Sequence, residues 1–235
     1  MSENRERSRR NIAVLVILFV IAVAVVTSSD SWNPAIPSQS SSSRHAAGSA
    51  AELLATIPVK GRAPKTGYTR TQYGDGWAIV NGCDTRNIIL HRDMQHVAID
   101  STCHVLSGTL NDPYTGKVIQ FHRGADSSGD VQIDHVVALS DSWQKGAQQL
   151  TREQRRALAN DPLELLAVDG PANQTKGDGD AATWLPPNKS FRCQYVARQI
   201  AVKAKYKLWV TQPEYDAMKQ VLSRCPGQIL PTARD

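Results

Sequence analysis

The sequence predicts an α+β domain on three observations. Short apolar pieces of strand length, separated by turn residues, run from about residue 97 to residue 139. A further piece, LELLAV at 163–168, is bounded by Asp161-Pro162 and Asp169-Gly170-Pro171 and can pair back on VQIDHVVAL at 131–139. Two stretches of the form Ser/Thr-x-x-Glu/Gln, at 151–154 and 211–214, are capping boxes that open helices. At 235 residues the chain suffices for one good core with appendages rather than two full domains.

The amino terminus lies outside that domain. MSENRERSRR sets Arg5, Arg7, Arg9 and Arg10 against Glu3 and Glu6, and an unbroken apolar run from Ile12 to Val26 follows. The run is short for a membrane span and long enough for a signal-peptide core, and the arginines before it keep the amino terminus inside and export the rest. Residues 1–28 therefore read as a signal peptide or an N-terminal membrane anchor. Ala22-Val23-Ala24 offers a cleavage pattern, but it falls inside the apolar run, so both outcomes stay open. Residues 29–50, with consecutive serines from Ser40 to Ser43 and no apolar periodicity, read as a flexible linker, and 51–235 as the folded domain, secreted or held at the cell envelope. Part of the net charge of +5 belongs to the opening segment, and the remaining basic bias is too mild to argue for phosphate binding by itself.

Within the domain, a loop-rich start leads to a helix from about Thr85 to Met94. VAIDSTCHVLSG alternates as one strand with Val97, Ile99, Cys103 and Val105 on one face, and LNDPYTGKVIQF adds a turn and a second strand to make a β-hairpin. VQIDHVVAL is the next strand. Ser140 to Gln149 reads as a helix, Thr151 opens another through Ala159, and LELLAV is a buried strand. A helix from Lys189 to about Leu208 aligns Val196, Ile200 and Ala204, and the last helix, opened at Thr211, carries Met218, Val221 and Leu222. Trp77, Trp143, Trp184 and Trp209 sit in packing segments and read as core anchors. His91, His96, His104 and His122 have no ligand spacing and read as structural or exposed.

Export makes disulfides the natural state of Cys83, Cys103, Cys193 and Cys225, none of which lies in a CxxC spacing that would suggest zinc. Three pairings are open. Cys83 with Cys103 and Cys193 with Cys225 are preferred because each closes a modest loop.

Asp134 and His135 stand side by side in an otherwise apolar stretch, and the return strand LELLAV runs directly into DGPANQTKGDGD with Asn173 and Lys176. With YTRTQYGDGW at 68–77, CDTRNIIL at 83–90, IDHVVAL at 133–139, NDPLELLAVDGPANQTKGDGD at 160–180 and WLPPN at 184–188, the chain resembles HNH-type (His-Me finger) nucleases. The resemblance is to the exported actinobacterial group related to the carboxy-terminal nuclease domain of GmrSD-type restriction enzymes, and covers roughly residues 67–225. It implies a ββα metal core flanked by a β-hairpin and C-terminal helices, with a nucleic-acid substrate, DNA by family analogy.

The resemblance makes Asp134 a metal ligand, His135 the general base and Asn173 the second ligand. A neutral imidazole can take a proton from water near neutral pH. One carboxylate and one amide oxygen suit magnesium, with manganese as the alternative, when substrate phosphate completes the shell. Lys176, one helical turn from Asn173, would place a point charge on a phosphate oxygen, or else be a solvated surface lysine. Two departures stand out: Glu164 occupies the position where the family commonly has an asparagine that orients the histidine, and no histidine lies near Asn173, which favours magnesium or manganese over zinc. Adjacent strand residues point to opposite faces, so Asp134 and His135 can share a site only if the strand ends or bulges there, or if they approach from different sides. Arg70 and Arg86 are open to phosphate contact, although ion pairing with Asp75, Asp84 or Asp93 is the preferred reading. An envelope-attached binding module that keeps the fold without turnover is the competing expectation, with the membrane reached through an uncleaved N-terminal segment. No obligate protein partner is inferred.

Overall fold

The computed structural model describes residues 48–125 and 127–232. The predicted signal or anchor segment, and the linker up to residue 47, lie outside the described residues. Among those described, no helix is long and apolar enough to cross a membrane.

The first helix, α1 (Ala50–Leu54), is closed by a capping box: Ser49 Oγ accepts from Glu52 N, and a Glu52 carboxylate oxygen accepts from Ser49 N. A 3₁₀ turn at Arg70–Tyr73 leads to a short antiparallel pair, β1 (Ile79–Val80) and β2 (Cys83–Asp84). Asp84 then caps α2 (Thr85–Asp93), whose buried Ile89 and Leu90 face the sheet that follows.

That sheet is a three-stranded antiparallel meander, β3 (Gln95–Ile99), β4 (Val105–Asn111) and β5 (Val118–His122). The β4–β5 hairpin agrees with the sequence. The single strand expected across 97–108 does not form, because the chain reverses between Ile99 and Val105. Asp100 there accepts hydrogen bonds from Thr102 N, Thr102 Oγ1 and His104 N, and Cys103 adopts φ +66°. A turn stapled by its own aspartate wins over alternation, and Ile99 ends up 52% exposed while Val105 is fully buried.

Strands β6 (Val131–His135) and β7 (Leu165–Asp169) pair antiparallel, Gln132 opposite Val168 and Asp134 opposite Leu166. Both faces of this ribbon are covered. Val131, Ile133, Leu165 and Ala167 join the core under α2 and the meander, whereas Leu166 and Val168 join the larger helical core. Burial on both sides is why LELLAV is apolar at successive positions. Asp169 then caps α5 (Gly170–Lys176) through Ala172 N. Gly170 is required for space: a Cβ there would lie 2.1 Å from the Gly129 carbonyl oxygen.

The remaining helices are α3 (Leu139–Gln144), α4 (Arg152–Ala159), α6 (Arg192–Lys205) and α7 (Gln212–Leu222). Both predicted capping boxes close, at Thr151–Gln154 and Thr211–Glu214. The helix expected over 140–149 stops at Gln144. Gly146, at φ +122° with Trp209 against it, turns the chain into a 3₁₀ segment, Ala147–Gln149. Behind α3 lies a buried ionic cluster: Lys145 reaches Asp141 at 2.8 Å, Asp180 at 2.7 Å and Glu214 at 2.6 Å, with Lys203 and Arg62 completing the charge balance. Disulfides join Cys83 to Cys103 and Cys193 to Cys225, the preferred pairing.

Candidate active site

Strand β6 ends at His135, and its last two side chains leave on opposite sides of the ribbon, the second of the geometries expected for a shared site. Asp134 points toward α5. Its Oδ1 lies 2.8 Å from Lys176 Nζ, and its Oδ2 accepts a short hydrogen bond from the Tyr114 hydroxyl. Lys176 Nζ also donates to the His135 carbonyl oxygen at 2.7 Å. One ammonium therefore pins the carboxylate and the backbone of the adjacent histidine.

His135 points the other way. Its Nε2 lies 3.0 Å from the Ala159 carbonyl oxygen at the end of α4. A carbonyl can only accept, so Nε2 carries the proton and Nδ1 keeps the lone pair. The Trp77 indole stacks on the ring at 5.7 Å between centroids and 7° between planes. Burial pushes the imidazole pKa down to about 3, with Arg70 and Lys176 acting in the same direction and the Ala159 carbonyl opposing. The ring is neutral at physiological pH.

Both residues line one cleft of about 340 Å³, which also takes in Asn173, Gln132, Arg70 and Arg86. Asn173, half-buried on α5, donates from its amide nitrogen to Gln132 Oε1 at 2.9 Å, which turns its amide oxygen away from that contact. Asp134, His135 and Asn173 therefore border one cleft.

Two other predicted residues sit elsewhere. Lys176 has a fully buried side chain, so its charge meets Asp134 and reaches no phosphate in the cleft. Glu164 is also fully buried. Its Oε2 accepts from Val137 N at 3.2 Å, and it makes no hydrogen bond to the His135 ring, whose orienting acceptor is the Ala159 carbonyl instead. Burial drives the Glu164 carboxyl well above the usual carboxylate range, against the Val137 N–H and Lys176, which lower it. Lys176 and Glu164 orient the end of β6 from behind.

The preferred pairing of Arg70 and Arg86 with acids is also corrected. Asp75 pairs with Arg152, Asp93 with Arg92, and Asp84 caps α2. Arg70 and Arg86 have no carboxylate partner among the described residues, and both face the cleft. Trp143 and Trp209 are buried anchors as expected, but Trp77 is half-buried at the cleft wall.

Sequence reasoning missed Tyr114, Trp77 and the Ala159 carbonyl. Tyr114 lies in the turn DPYTGK, which Asp112 fastens to β7 by accepting from Asp169 N at 2.8 Å. That long-range contact leaves no local signal. Nothing in YGDGW announces a ring stacked on a histidine 58 positions away (135 − 77).

What the arrangement offers is a neutral imidazole whose Nδ1 is outside the Ala159 contact, the oxygens of Asp134 and Asn173, and the guanidiniums of Arg70 and Arg86, neither paired with a carboxylate among the described residues, all bordering one cleft. Among the described residues, no group of three or more His, Cys, Asp or Glu side chains could hold a metal unaided.

No solved structure matches the chain. It is 35% identical over 214 residues to an uncharacterized secreted protein of Arthroderma benhamiae, an alignment covering 90% of this chain and 98% of that one. Residues 84–221 match the model of the GmrSD restriction endonucleases, C-terminal domain, a span holding β6, β7, α5 and every residue lining the His135 cleft except Tyr68, Arg70 and Trp77. The chain belongs to the family of GmrSD restriction endonuclease C-terminal domains.

Proposed function

We propose that the protein is an exported endonuclease that hydrolyses phosphodiester bonds of nucleic acid, DNA foremost, with His135 as general base and a divalent cation, magnesium or manganese, as cofactor. The observation that carries this reading is the His135 ring held through Nε2 by the Ala159 carbonyl, which reserves Nδ1 for a water in a cleft shared with Asp134 and Asn173. Family membership supports the nuclease class. Export rests on the arginine-flanked apolar segment and the secreted relative.

The donor set fits a hard, weakly held cation. Asp134 and Asn173 would hold it, the Asp134 oxygens each keeping a lone pair beside Lys176 or Tyr114 and the Asn173 amide oxygen lying outside the bond that its nitrogen donates to Gln132. Lys176 already neutralises much of the Asp134 charge, so affinity without substrate phosphate is expected to be low. The bound ion would supply neutralisation of charge on the scissile phosphate and the leaving oxygen. The chain's own residues do the rest. His135 Nδ1 takes the proton of the attacking water, and the resulting imidazolium is stabilised by Nε2–H donation to Ala159. Trp77 keeps the ring in plane, Lys176 fixes the carbonyl behind it, and Arg70 and Arg86 bring positive charge to the phosphate backbone.

The engagement of both Asp134 oxygens by Tyr114 and Lys176 favours one second reading, an envelope-attached binding module without turnover. Plasmid nicking by the disulfide-bonded chain separates the two. Cleavage that needs magnesium and stops with EDTA supports the enzyme, whereas metal-independent or absent cleavage supports the binding module.

A further inference from the structure

Trp77 is a wall common to three adjoining hollows. One is the cleft of His135; a second, of about 150 Å³, lies between Trp77, Arg70 and the end of α4. The third, of about 460 Å³, touches the indole without touching the imidazole and is otherwise bounded by the Gly74-Asp75-Gly76 loop, Arg152, Glu153 and Arg156. The indole thus has the catalytic ring on one side and an open, base-sized recess reaching it from another.

Charge follows the same path. Arg86 and Arg70 border the cleft, and Arg156 borders the recess, with no carboxylate partner for any of them among the described residues. Arg152 has only an exposed contact with Asp75 at 3.7 Å. Arg86 is half-buried beside a second guanidinium, Arg123, and donates only to the backbone carbonyls of Ser128 at 3.4 Å and Val131 at 3.3 Å, so its charge is paired with no carboxylate among the described residues. Phosphates spaced along a strand answer such a row, and a flat aromatic between them answers a base. A base inside a duplex stack presents only its edge, whereas an unpaired one can lay its face on an indole.

We propose that the cleft takes a locally unpaired nucleic-acid strand, its phosphates on Arg70 and Arg86 and a neighbouring base stacked on Trp77 in the recess beside Arg156. This rests on the nuclease reading for the class of ligand and adds strand state and a base subsite to it.

The test is binding of the full chain in EDTA at fixed salt, followed by anisotropy of a short labelled strand, its duplex, and an abasic strand of equal length. The intact single strand is expected to bind about tenfold more tightly than either competitor, the size of one stacked base. Trp77→Ala should abolish that preference, bringing the intact and abasic strands to equal affinity, and Trp77→Phe should restore most of it. Arg156→Ala, on an exposed position, should weaken all three probes alike. Duplex binding as tight as single-strand binding, or a Trp77→Ala loss equal for intact and abasic strands, would overturn the proposal. Cleavage with magnesium is scored apart: a chain that binds with this preference and never cuts removes the nuclease reading and leaves the strand site standing.

Discussion

Lys176→Met removes a single charge from the framework behind the site. In the native chain Lys176 Nζ meets Asp134 Oδ1 at 2.8 Å and the His135 carbonyl at 2.7 Å, on a side chain with 0% exposure. The substitution leaves Asp134 with only the Tyr114 hydroxyl and leaves the His135 carbonyl without its donor. Removing one partner of a buried ion pair costs about 3–5 kcal/mol. Methionine keeps most of the apolar stem contacts, so a net loss of about 4 kcal/mol is expected. At about 2–4 °C per kcal/mol for a domain of this size, the midpoint should fall by roughly 8–16 °C. Urea unfolding in EDTA, with both disulfides intact, measures it. Adding Asp134→Asn removes the stranded charge, so the double variant should recover at least about 2 kcal/mol relative to additivity. A Lys176→Met loss below about 1 kcal/mol, the range of surface pairs, would refute the framework role. If Lys176 held a substrate phosphate instead, the variant would keep its stability and lose about one unit from the slope of log affinity against log salt.

Other outcomes follow from the same geometry. Gly170→Ala drives a Cβ to 2.1 Å from the Gly129 carbonyl, so α5 must shift; nicking activity should fall at least tenfold together with a lowered thermal midpoint, and wild-type values in both assays would contradict the close approach. Burial opposes ionisation of Asp180, but Lys145 at 2.7 Å and Arg62 at 2.7 Å prevail and hold its carboxyl below the ordinary 3.8. Its stabilising contribution is therefore complete above pH 3.8 and is lost as pH falls below that value, so Asp180→Asn should flatten the acid limb of a thermal-midpoint profile. Replacing both Cys193 and Cys225 by alanine opens a loop of separation 32 and should cost about 3–4 kcal/mol in equilibrium unfolding.

What could be read from the sequence was local or strongly periodic. The apolar run of β7, bracketed by proline and glycine, announced a strand buried on both faces, and the Thr151 and Thr211 boxes placed the starts of α4 and α7 because capping is decided within four residues. The break at Asp100 and the stop at Gly146 were harder. In each case a turn competed with a plausible period, and the side-chain bonds of Asp100 in one and the packing of Trp209 on Gly146 in the other settled the outcome. In the site, Asp134, His135 and Asn173 were visible through motif spacing and do line one cleft. The inward turn of Lys176 was not visible, since helical spacing from Asn173 says nothing of which face β6 covers. Tyr114 and the Ala159 carbonyl lay outside sequence reasoning altogether, because a hydroxyl delivered by a hairpin turn and a backbone oxygen at a helix end leave no residue pattern.

The nuclease reading stands or falls on His135 Nδ1 as the base that activates water. Single-turnover cleavage by His135→Ala, at saturating substrate and magnesium and on a variant shown to be folded, tests it most directly. The rate should fall by about 10²–10⁴ with substrate binding in EDTA unchanged, the contribution of a positioned general base. A fall of less than about tenfold would contradict it and assign the proton to another group in the cleft.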